Sequence, residues 1–331
     1  MQQTSTLKQL AQILNMSIST VSRALKNHPD IAEKTKQKVR ELAASLEYEP
    51  NAYAIQLRTN VSNVLGIMIP TITNFFYDTF IASVEEEARK AGYSLLIMQS
   101  GESSEVEQNN LKLLKKNRVS GLFVSVTKEN NDISAFEKLE EQDIPVVYID
   151  RVPHHENCNK ICLADTESAT IAAHALIEHQ KKNVLALFGY PNLSITEKRL
   201  EAFTHTFQTF APAAIVNCRF PDQTKAAKKE TLHFLNSKNI PDAIFCMGDQ
   251  ILMGAMQALY EKKIKIPEQT AVISISNGFI PTLFQPNITY IETSGKKLGK
   301  YAFKRMMECL HGDKTFKEIL VPSILVSGNS L

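Results

Sequence analysis

The run from Ser19 to Leu25 carries side chains suited to reading a DNA duplex. Its polar members are short hydroxyls together with the forked guanidinium of Arg23. Its apolar members fall at i, i+3 and i+4, so a helix would bury them on one side; they are Val21, Ala24 and Leu25. Because a helix that is narrow, polar and basic on one side fits the major groove, the run predicts a DNA recognition helix.

The flanking sequence predicts the elements that must position this helix. Thr6 is a suitable N-cap for a first helix, Asn15 tolerates the left-handed conformation of a tight turn, and Ser17 can cap the second helix. Asp30 followed by Glu33 predicts a capping box for a third helix. Together these signals predict a helix-turn-helix unit over residues 1–49, although the same spacing also fits a generic small helical bundle.

The distribution of charge favours the DNA-binding interpretation. Residues 1–40 contain seven lysines and arginines against two carboxylates, a net charge of +5, whereas the whole chain carries only +2. A basic head on a near-neutral body suits phosphate contacts, which supply affinity and make it depend on salt.

Several short segments resemble the headpiece and hinge of the lactose-repressor (LacI/GalR) family, and the similarity continues to the last predicted strand. The segments are Thr6-Leu7, Ser17 to Leu25, Asn27-His28-Pro29, Tyr48 to Asn51 and Leu57-Arg58-Thr59. The resemblance implies that Ile18, Ser19 and Arg23 face base edges. Ile18 can touch a thymine methyl but cannot donate a hydrogen bond, so Arg23 is the expected base reader. The implied DNA-binding residues are Thr6, Leu7, Ser17, Ile18, Ser19, Ser22, Arg23, Asn27, Thr35, Asn51, Ala54 and Leu57.

Residues 50–60 predict a short hinge helix that begins at Pro50. Isolated helices of about two turns are marginal in water, so this one is expected to need a partner. In the family the hinge helix pairs with its twin and inserts a leucine into the minor groove, and Leu57 occupies that position here. Such a wedge kinks the duplex. An ordinary interdomain linker is the alternative.

The rest of the chain predicts two α/β lobes, one formed by residues 61–161 and 292–319, the other by residues 162–291 and 320–331. Strand-like apolar runs alternate with helical stretches, which predicts parallel sheets with right-handed crossovers. The fold class is therefore α/β, with an all-α helix-turn-helix headpiece and a two-lobed core that resembles periplasmic sugar-binding proteins.

Polar and aromatic residues that follow the predicted strands are the candidates for an effector site, since ligands bind beyond the carboxyl ends of parallel strands. Either the phenylalanines line a cleft or they only seat the next helix, and Asp249 is equally suited to capping a helix or contacting a ligand. Arg199 stands where family members place an effector-binding arginine. The candidates are Asn74, Phe75, Phe76, Ser125, Asp150, Arg151, Arg199, Asp249, Ser276 and Asn277.

The Ser276-Asn277 pair departs from the family, which usually presents an aspartate at this point. A neutral pair cannot grip hydroxyls as an ionised carboxylate can. The departure makes a sugar phosphate, a sugar acid or a glycan fragment more plausible as the effector than a simple sugar. Arg151, Lys198 and Arg199 also favour an anion.

Other classes of function have weaker support in the sequence. His154, His155, Cys158 and Cys162 cluster without a paired Cys-x-x-Cys, so no metal and no cofactor is expected. Five cysteines without a framework fit a reducing cytoplasm, and the sequence predicts neither secretion nor a membrane span. A sugar-modifying enzyme or a solute-binding receptor with the same two lobes is the alternative.

The expected partners follow from this interpretation. Helix-turn-helix proteins that bind palindromic operators do so as symmetric dimers, because half-sites must match the protein two-fold axis. We therefore expect a homodimer on double-stranded DNA, without a tetramer-forming helical tail. A small molecule such as a sugar, sugar acid or sugar phosphate is expected to control it, and no membrane is involved.

Overall fold

The structure is a computed structural model that describes residues 6–48, 62–128, 132–236 and 240–331. The chain forms two compact units, Met1–Ser62 and Asn63–Leu331. The hinge residues 50–60, and with them Asn51, Ala54 and Leu57, lie outside the described residues.

Three helices form the headpiece: α1 (Leu7–Ile13), α2 (Ile18–Leu25) and α3 (Glu33–Ser45). The apolar positions at helical spacing meet in one small core, as predicted. Its buried members are Leu10, Ala11, Val21, Ala24, Val39 and Ala43.

Two of the three predicted helix starts are confirmed. Thr6 forms a capping box with Gln9 at the start of α1, and the Ser17 side chain accepts from the Thr20 amide at the start of α2. The predicted cap at Asp30 is wrong. Ala32 is the N-cap of α3 and offers no side-chain acceptor, while Glu33 pairs with Lys36 at 2.7 Å instead of reaching back to a cap.

The first sheet of the larger unit has six parallel strands in the order β11-β5-β4-β3-β1-β2. Its strands are β1 (Val64–Ile69), β2 (Ser94–Gln99), β3 (Gly121–Val124), β4 (Val146–Ile149), β5 (Asn159–Leu163) and β11 (Glu318–Val321). Its helices are α4 (Phe75–Lys90), α5 (Ser104–Lys116), α6 (Ser134–Glu140) and α11 (Gly295–Leu310). Alternate residues of β1 enter two different cores, Ile67 one and Met68 the other, so the sheet is covered on both faces.

The second sheet repeats this design in the order β12-β10-β9-β8-β6-β7, with only β12 antiparallel. Its strands are β6 (Asn183–Leu187), β7 (Ile215–Arg219), β8 (Ala243–Cys246), β9 (Ala271–Ser276), β10 (Thr289–Glu292) and β12 (Ile324–Val326). Its helices are α7 (Asp165–Glu178), α8 (Ser194–Phe210), α9 (Thr224–Leu235) and α10 (Asp249–Glu261), and a short 3-10 helix spans Ile280–Leu283.

The chain crosses between the two sheets three times, close to the predicted boundaries but not at them. The first sheet includes residues up to Leu163, where the predicted boundary was 161. The second sheet includes residues up to Glu292, where the predicted boundary was 291. At the predicted boundary between 319 and 320 the chain is divided differently: Glu318–Val321 joins the first sheet and Ile324–Val326 joins the second. The α/β fold with an all-α headpiece and a two-lobed core is confirmed.

Candidate functional site

The recognition helix α2 exposes the side chains that were predicted to read DNA. Ile18 is 48% exposed, and Ser19 and Arg23 are also exposed. The Ser17 hydroxyl lies 2.8 Å from those of both Ser19 and Thr20, so three hydroxyls meet at the start of the helix. Backbone N–H groups and hydroxyls at a helix start suit contacts with phosphates, while Arg23 lies further along the exposed side.

The turn after α2 holds Asn27 in the left-handed region, with φ of 54°. Arg40 on α3 donates to the Asn27 Oδ1 at 2.9 Å, which fixes the orientation of the amide. Thr35 lies in the first turn of α3, where its N–H donates to the Ala32 carbonyl. No local pattern predicts the contact between Arg40 and Asn27, because it joins a turn to a helix residue 13 positions further along the chain.

A cavity of about 570 Å³ lies where the carboxyl ends of the two sheets of the larger unit face each other. This main cleft is lined by eight of the ten predicted effector residues, which are Asn74, Phe76, Asp150, Arg151, Arg199, Asp249, Ser276 and Asn277. Its location is the one expected for doubly wound sheets.

Phe75 and Ser125 do not line the main cleft. Phe75 packs against the core of the second lobe and lies 6.1 Å from the Phe279 ring. Ser125 is buried one step behind the surface, where its hydroxyl lies 2.7 Å from that of Tyr77. Phe76 lines the cleft, whereas Phe75 contacts the opposite lobe, a role that was not predicted for it.

A buried tyrosine orients the carboxylate of Asp150. The Tyr77 hydroxyl donates to Asp150 Oδ2 at 2.7 Å, and Asp150 itself has a positive φ of 58°. Burial raises the pKa of Asp150, and neighbouring Arg151 opposes that rise. Burial also raises the pKa of Tyr77, so the phenol keeps its proton and remains a donor. Tyr77 was not among the predicted site residues, since its only signal in the sequence is its position three residues after Asn74.

Arg199 is a buried cation that is already held by the protein. Its Nε lies 2.8 Å and its Nη2 2.7 Å from Asp165 Oδ1, and its Nη1 donates to the Met247 carbonyl at 2.8 Å. Burial raises the pKa of Asp165, an effect that the adjacent guanidinium opposes. Arg199 thus presents a fixed, largely neutralised edge to the main cleft.

Asp249 supplies a carboxylate next to Ser276 and Asn277, the neutral pair that stands where the family usually presents an aspartate. Ser276 donates its hydroxyl hydrogen to Asp249 Oδ1, and the Asn277 amide lies 3.4 Å from Oδ2. Burial raises the pKa of Asp249 to about 6. Gly248 is the N-cap of α10, so Asp249 does not cap this helix.

Arg151 and Lys128 near the main cleft also face carboxylates, whereas Lys225 lines the cleft with no carboxylate within 4.0 Å among the described residues. Arg151 pairs with Glu102 at 2.5 Å, and Lys128 lies 4.0 Å from Asp222. Lys198, a predicted anion contact, pairs with Glu318 at 3.6 Å and is not among the lining residues. Apart from Lys225, the positive charge at this site is therefore balanced locally.

Asn74 serves two purposes at the mouth of the main cleft. Its side chain accepts from the Phe76 amide at 2.9 Å and so caps α4, while the residue also lines the cavity. Across the cleft, Asn277 donates its side-chain amide to the Phe75 carbonyl. This bond joins the two lobes directly.

Metal-binding clusters and membrane-spanning helices are both missing from the residues that the structure describes. Within them, no group of three or more histidines, cysteines, aspartates or glutamates is placed to hold a metal ion. No described helix has the length and apolar character needed to cross a membrane.

Comparison with known proteins relates both units to one group. Residues 62–327 match the family model described as periplasmic binding proteins and sugar binding domain of LacI family, and residues 6–51 match bacterial regulatory proteins, lacI family. The HTH-type transcriptional repressor PurR of Vibrio atlanticus (strain LGP32) is 27% identical over 92% of this chain and 91% of its own.

Solved structures share the fold. A lac repressor dimer bound to operator and the anti-inducer ONPF superposes with a TM-score of 0.89 and 21% identity, over 99% of each chain. A periplasmic binding protein/LacI transcriptional regulator from Alkaliphilus metalliredigens QYMF, complexed with D-xylulofuranose, gives 0.69 and 23% identity over 81% of this chain and 99% of its own.

Proposed function

Because the chain belongs to the LacI family of bacterial regulatory proteins, we propose that an uncharged polyhydroxylated molecule, a sugar, binds its main cleft and controls operator binding. The chain is a DNA-binding transcriptional regulator with an effector-binding core. In this proposal the protein is a cytoplasmic repressor of carbohydrate-utilisation genes. Binding of the sugar is coupled to binding of DNA.

The arrangement of Asp150 and Asp249 carries the proposal. Both carboxylates line the main cleft, and each is fixed by a hydroxyl donor of the protein, Tyr77 for one and Ser276 for the other. A carboxylate held in this way still has free acceptor positions, and sugar hydroxyls are the donors that fit them.

The balance of charge favours a neutral sugar over a sugar acid or sugar phosphate. Arg199 is held by Asp165, and Arg151 by Glu102. An anionic ligand would have to compete with these two carboxylates for the guanidinium groups. It would also lie near Asp150 and Asp249, which costs electrostatic free energy in a buried site. Sugar phosphates therefore serve as the contrasting probes in the test.

The proposed coupling runs through closure of the lobes. A ligand that binds the closed lobes more tightly shifts the protein toward that state. In a homodimer this shift would change how the two first lobes meet, and hence whether the paired hinge helices form and insert Leu57 into the minor groove.

Operator binding by purified protein, measured with and without a panel of sugars and sugar phosphates, tests the proposal. We expect a neutral sugar to change operator affinity and sugar phosphates to have a smaller effect. Leu57→Ala should lower operator affinity at least tenfold, whereas Leu57→Met, which keeps an apolar wedge, should retain most of it. A Leu57→Ala protein that binds operator like wild type would contradict the hinge, and a response to phosphates alone would contradict the effector class.

A further inference from the structure

A second cavity of about 570 Å³, here called the side chamber, lies next to the main cleft. Its lining residues are Val126, Thr127, Lys128, Ile133, Arg151, Val152, Pro153, His154, His155, Asn192, Leu193, Ser194 and Glu197. We infer that the effector is at least a disaccharide, with one ring in the main cleft and its second ring in the side chamber. This inference rests on the proposed sugar effector and adds its length.

The two cavities share a wall. Lys128, Arg151 and Leu193 line both of them. Arg151 follows β4 of the first lobe, and Leu193 immediately precedes α8 of the second. Because these three residues border both cavities, a ligand that spans the two would pass over the Arg151 side chain.

The side chamber offers the mixture of groups that a sugar ring uses. Its polar lining includes the hydroxyls of Thr127 and Ser194 and the amide of Asn192, and Val152 and Pro153 provide apolar surface. Sites for small molecules typically combine apolar walls with a few placed hydrogen-bonding groups. Here both components come from the loops that follow the strands.

Thr127 gives an independent sign of a missing partner. The residue is only 2% exposed, and its amide donates to Glu107 Oε2 at 3.2 Å. Among the described residues, the Thr127 Oγ1 has no hydrogen-bond partner. A buried hydroxyl without a partner carries a free-energy cost. A ligand hydroxyl that reaches this position would remove that cost.

The charges around the side chamber favour a neutral ring over a phosphate. His154 Nε2 lies 3.5 Å from Glu197, and His155 Nε2 lies 3.8 Å from Glu137. Arg151 is engaged by Glu102 on the side shared with the main cleft. Each of these cationic or protonatable groups thus has a carboxylate near it, and an incoming phosphate would face those carboxylates as well.

The test compares ligands of one and two rings on the purified chain. A thermal-shift screen uses glucose, galactose, maltose, cellobiose, lactose, melibiose and glucose 6-phosphate, and calorimetry then gives the Kd of each ligand found. We expect a disaccharide to bind at least tenfold more tightly than either of its component monosaccharides. His154→Ala/Asn192→Ala, which alters two exposed side chains of the side chamber, should weaken that disaccharide at least fivefold and leave monosaccharide binding unchanged.

Asp249→Asn in the main cleft is the matched control, and it should weaken ligands of both lengths. A monosaccharide that binds as tightly as every disaccharide, or a double variant that binds the disaccharide like wild type, would overturn the side-chamber inference alone. Tightest binding by glucose 6-phosphate, or binding by none of the panel, would overturn both this inference and the sugar effector.

Discussion

Among single residues, two buried carboxylates determine the chemistry of the main cleft. Asp150 accepts from Tyr77, and Asp249 accepts from Ser276, so each is oriented before any ligand arrives. Such prior orientation lowers the entropy cost of binding a molecule with many hydroxyls. The same burial raises both pKa values, which ties binding to pH.

Effector affinity should fall about tenfold between pH 7 and pH 5 because Asp249, with its pKa raised to about 6, loses its charge in this window. A protonated carboxyl accepts more weakly from sugar hydroxyls. The raised pKa has the opposite effect on folding: the native state holds this proton more tightly than the unfolded chain, so this residue's contribution to stability declines as pH rises from about 4 to about 6.

Calorimetry across this pH range checks the prediction. Asp249→Asn should remove most of the pH dependence, whereas Asp222→Asn, the same change at a more exposed position of the cleft, should keep it. If the Asp249→Asn protein follows the wild-type profile, the titrating group lies elsewhere, and Asp150 is the next candidate.

Among the secondary-structure elements, the close packing of α9 and α10 behind the cleft depends on one glycine. Gly254 lies in α10, where an added Cβ would come within 2.3 Å of the Thr224 carbonyl oxygen, 2.7 Å of the Ala227 Cβ and 2.8 Å of the Lys228 nitrogen on α9. Two of these atoms belong to the backbone and cannot rotate away. Only the packed helices show why position 254 must lack a side chain.

Gly254→Ala should destabilise the protein by about 1–2 kcal/mol. Overpacking costs about 1–3 kcal/mol, and the better helix propensity of alanine returns at most about 1 kcal/mol of that. Thermal unfolding of the full chain measures the change. Gly248→Ala is the control, since a Cβ there would meet no atom within 4 Å. Equal melting temperatures for Gly254→Ala and wild type would show that α9 moves aside without cost.

For the larger unit as a whole, the important contacts are those that join its two lobes across the cleft. Asn277 donates to the Phe75 carbonyl, and the Phe75 and Phe279 rings lie 6.1 Å apart at an angle of 48°. Phe279 is 57% exposed, so its contact with Phe75 joins the lobes at the surface of the protein. Contacts that exist only when the lobes are close bias the equilibrium toward closure.

Phe279→Ala should weaken effector binding by about two- to tenfold, since an aromatic pair contributes about 0.5–1.5 kcal/mol. Small-angle scattering should show a larger radius of gyration for the unliganded variant. Phe210→Ala is matched to it, because Phe210 is 62% exposed and its partner His174, at 4.9 Å, belongs to the same lobe. If both variants bind effector equally, the Phe75–Phe279 pair does not influence closure.

The elements whose signals are local could be predicted before the structure was known. Capping by Thr6 and Ser17 depends on residues three positions away, and the strands at Val64–Ile69 and Val146–Ile149 are continuous apolar runs. The charge asymmetry and the family resemblance likewise required no coordinates. Because these features arise from neighbouring residues or from composition, they are readable before the chain folds.

The tertiary structure alone decided which side chains meet. Asp249 replaces the carboxylate that Ser276-Asn277 lacked, Tyr77 orients Asp150, and Arg199 is neutralised by Asp165. These partners lie 27, 73 and 34 positions apart in the chain, and the sheet crossovers bring them together. Hydrogen bonds and ion pairs act over a few ångströms. The carboxylate partners of the predicted anion-binding residues could therefore be identified only in the folded chain.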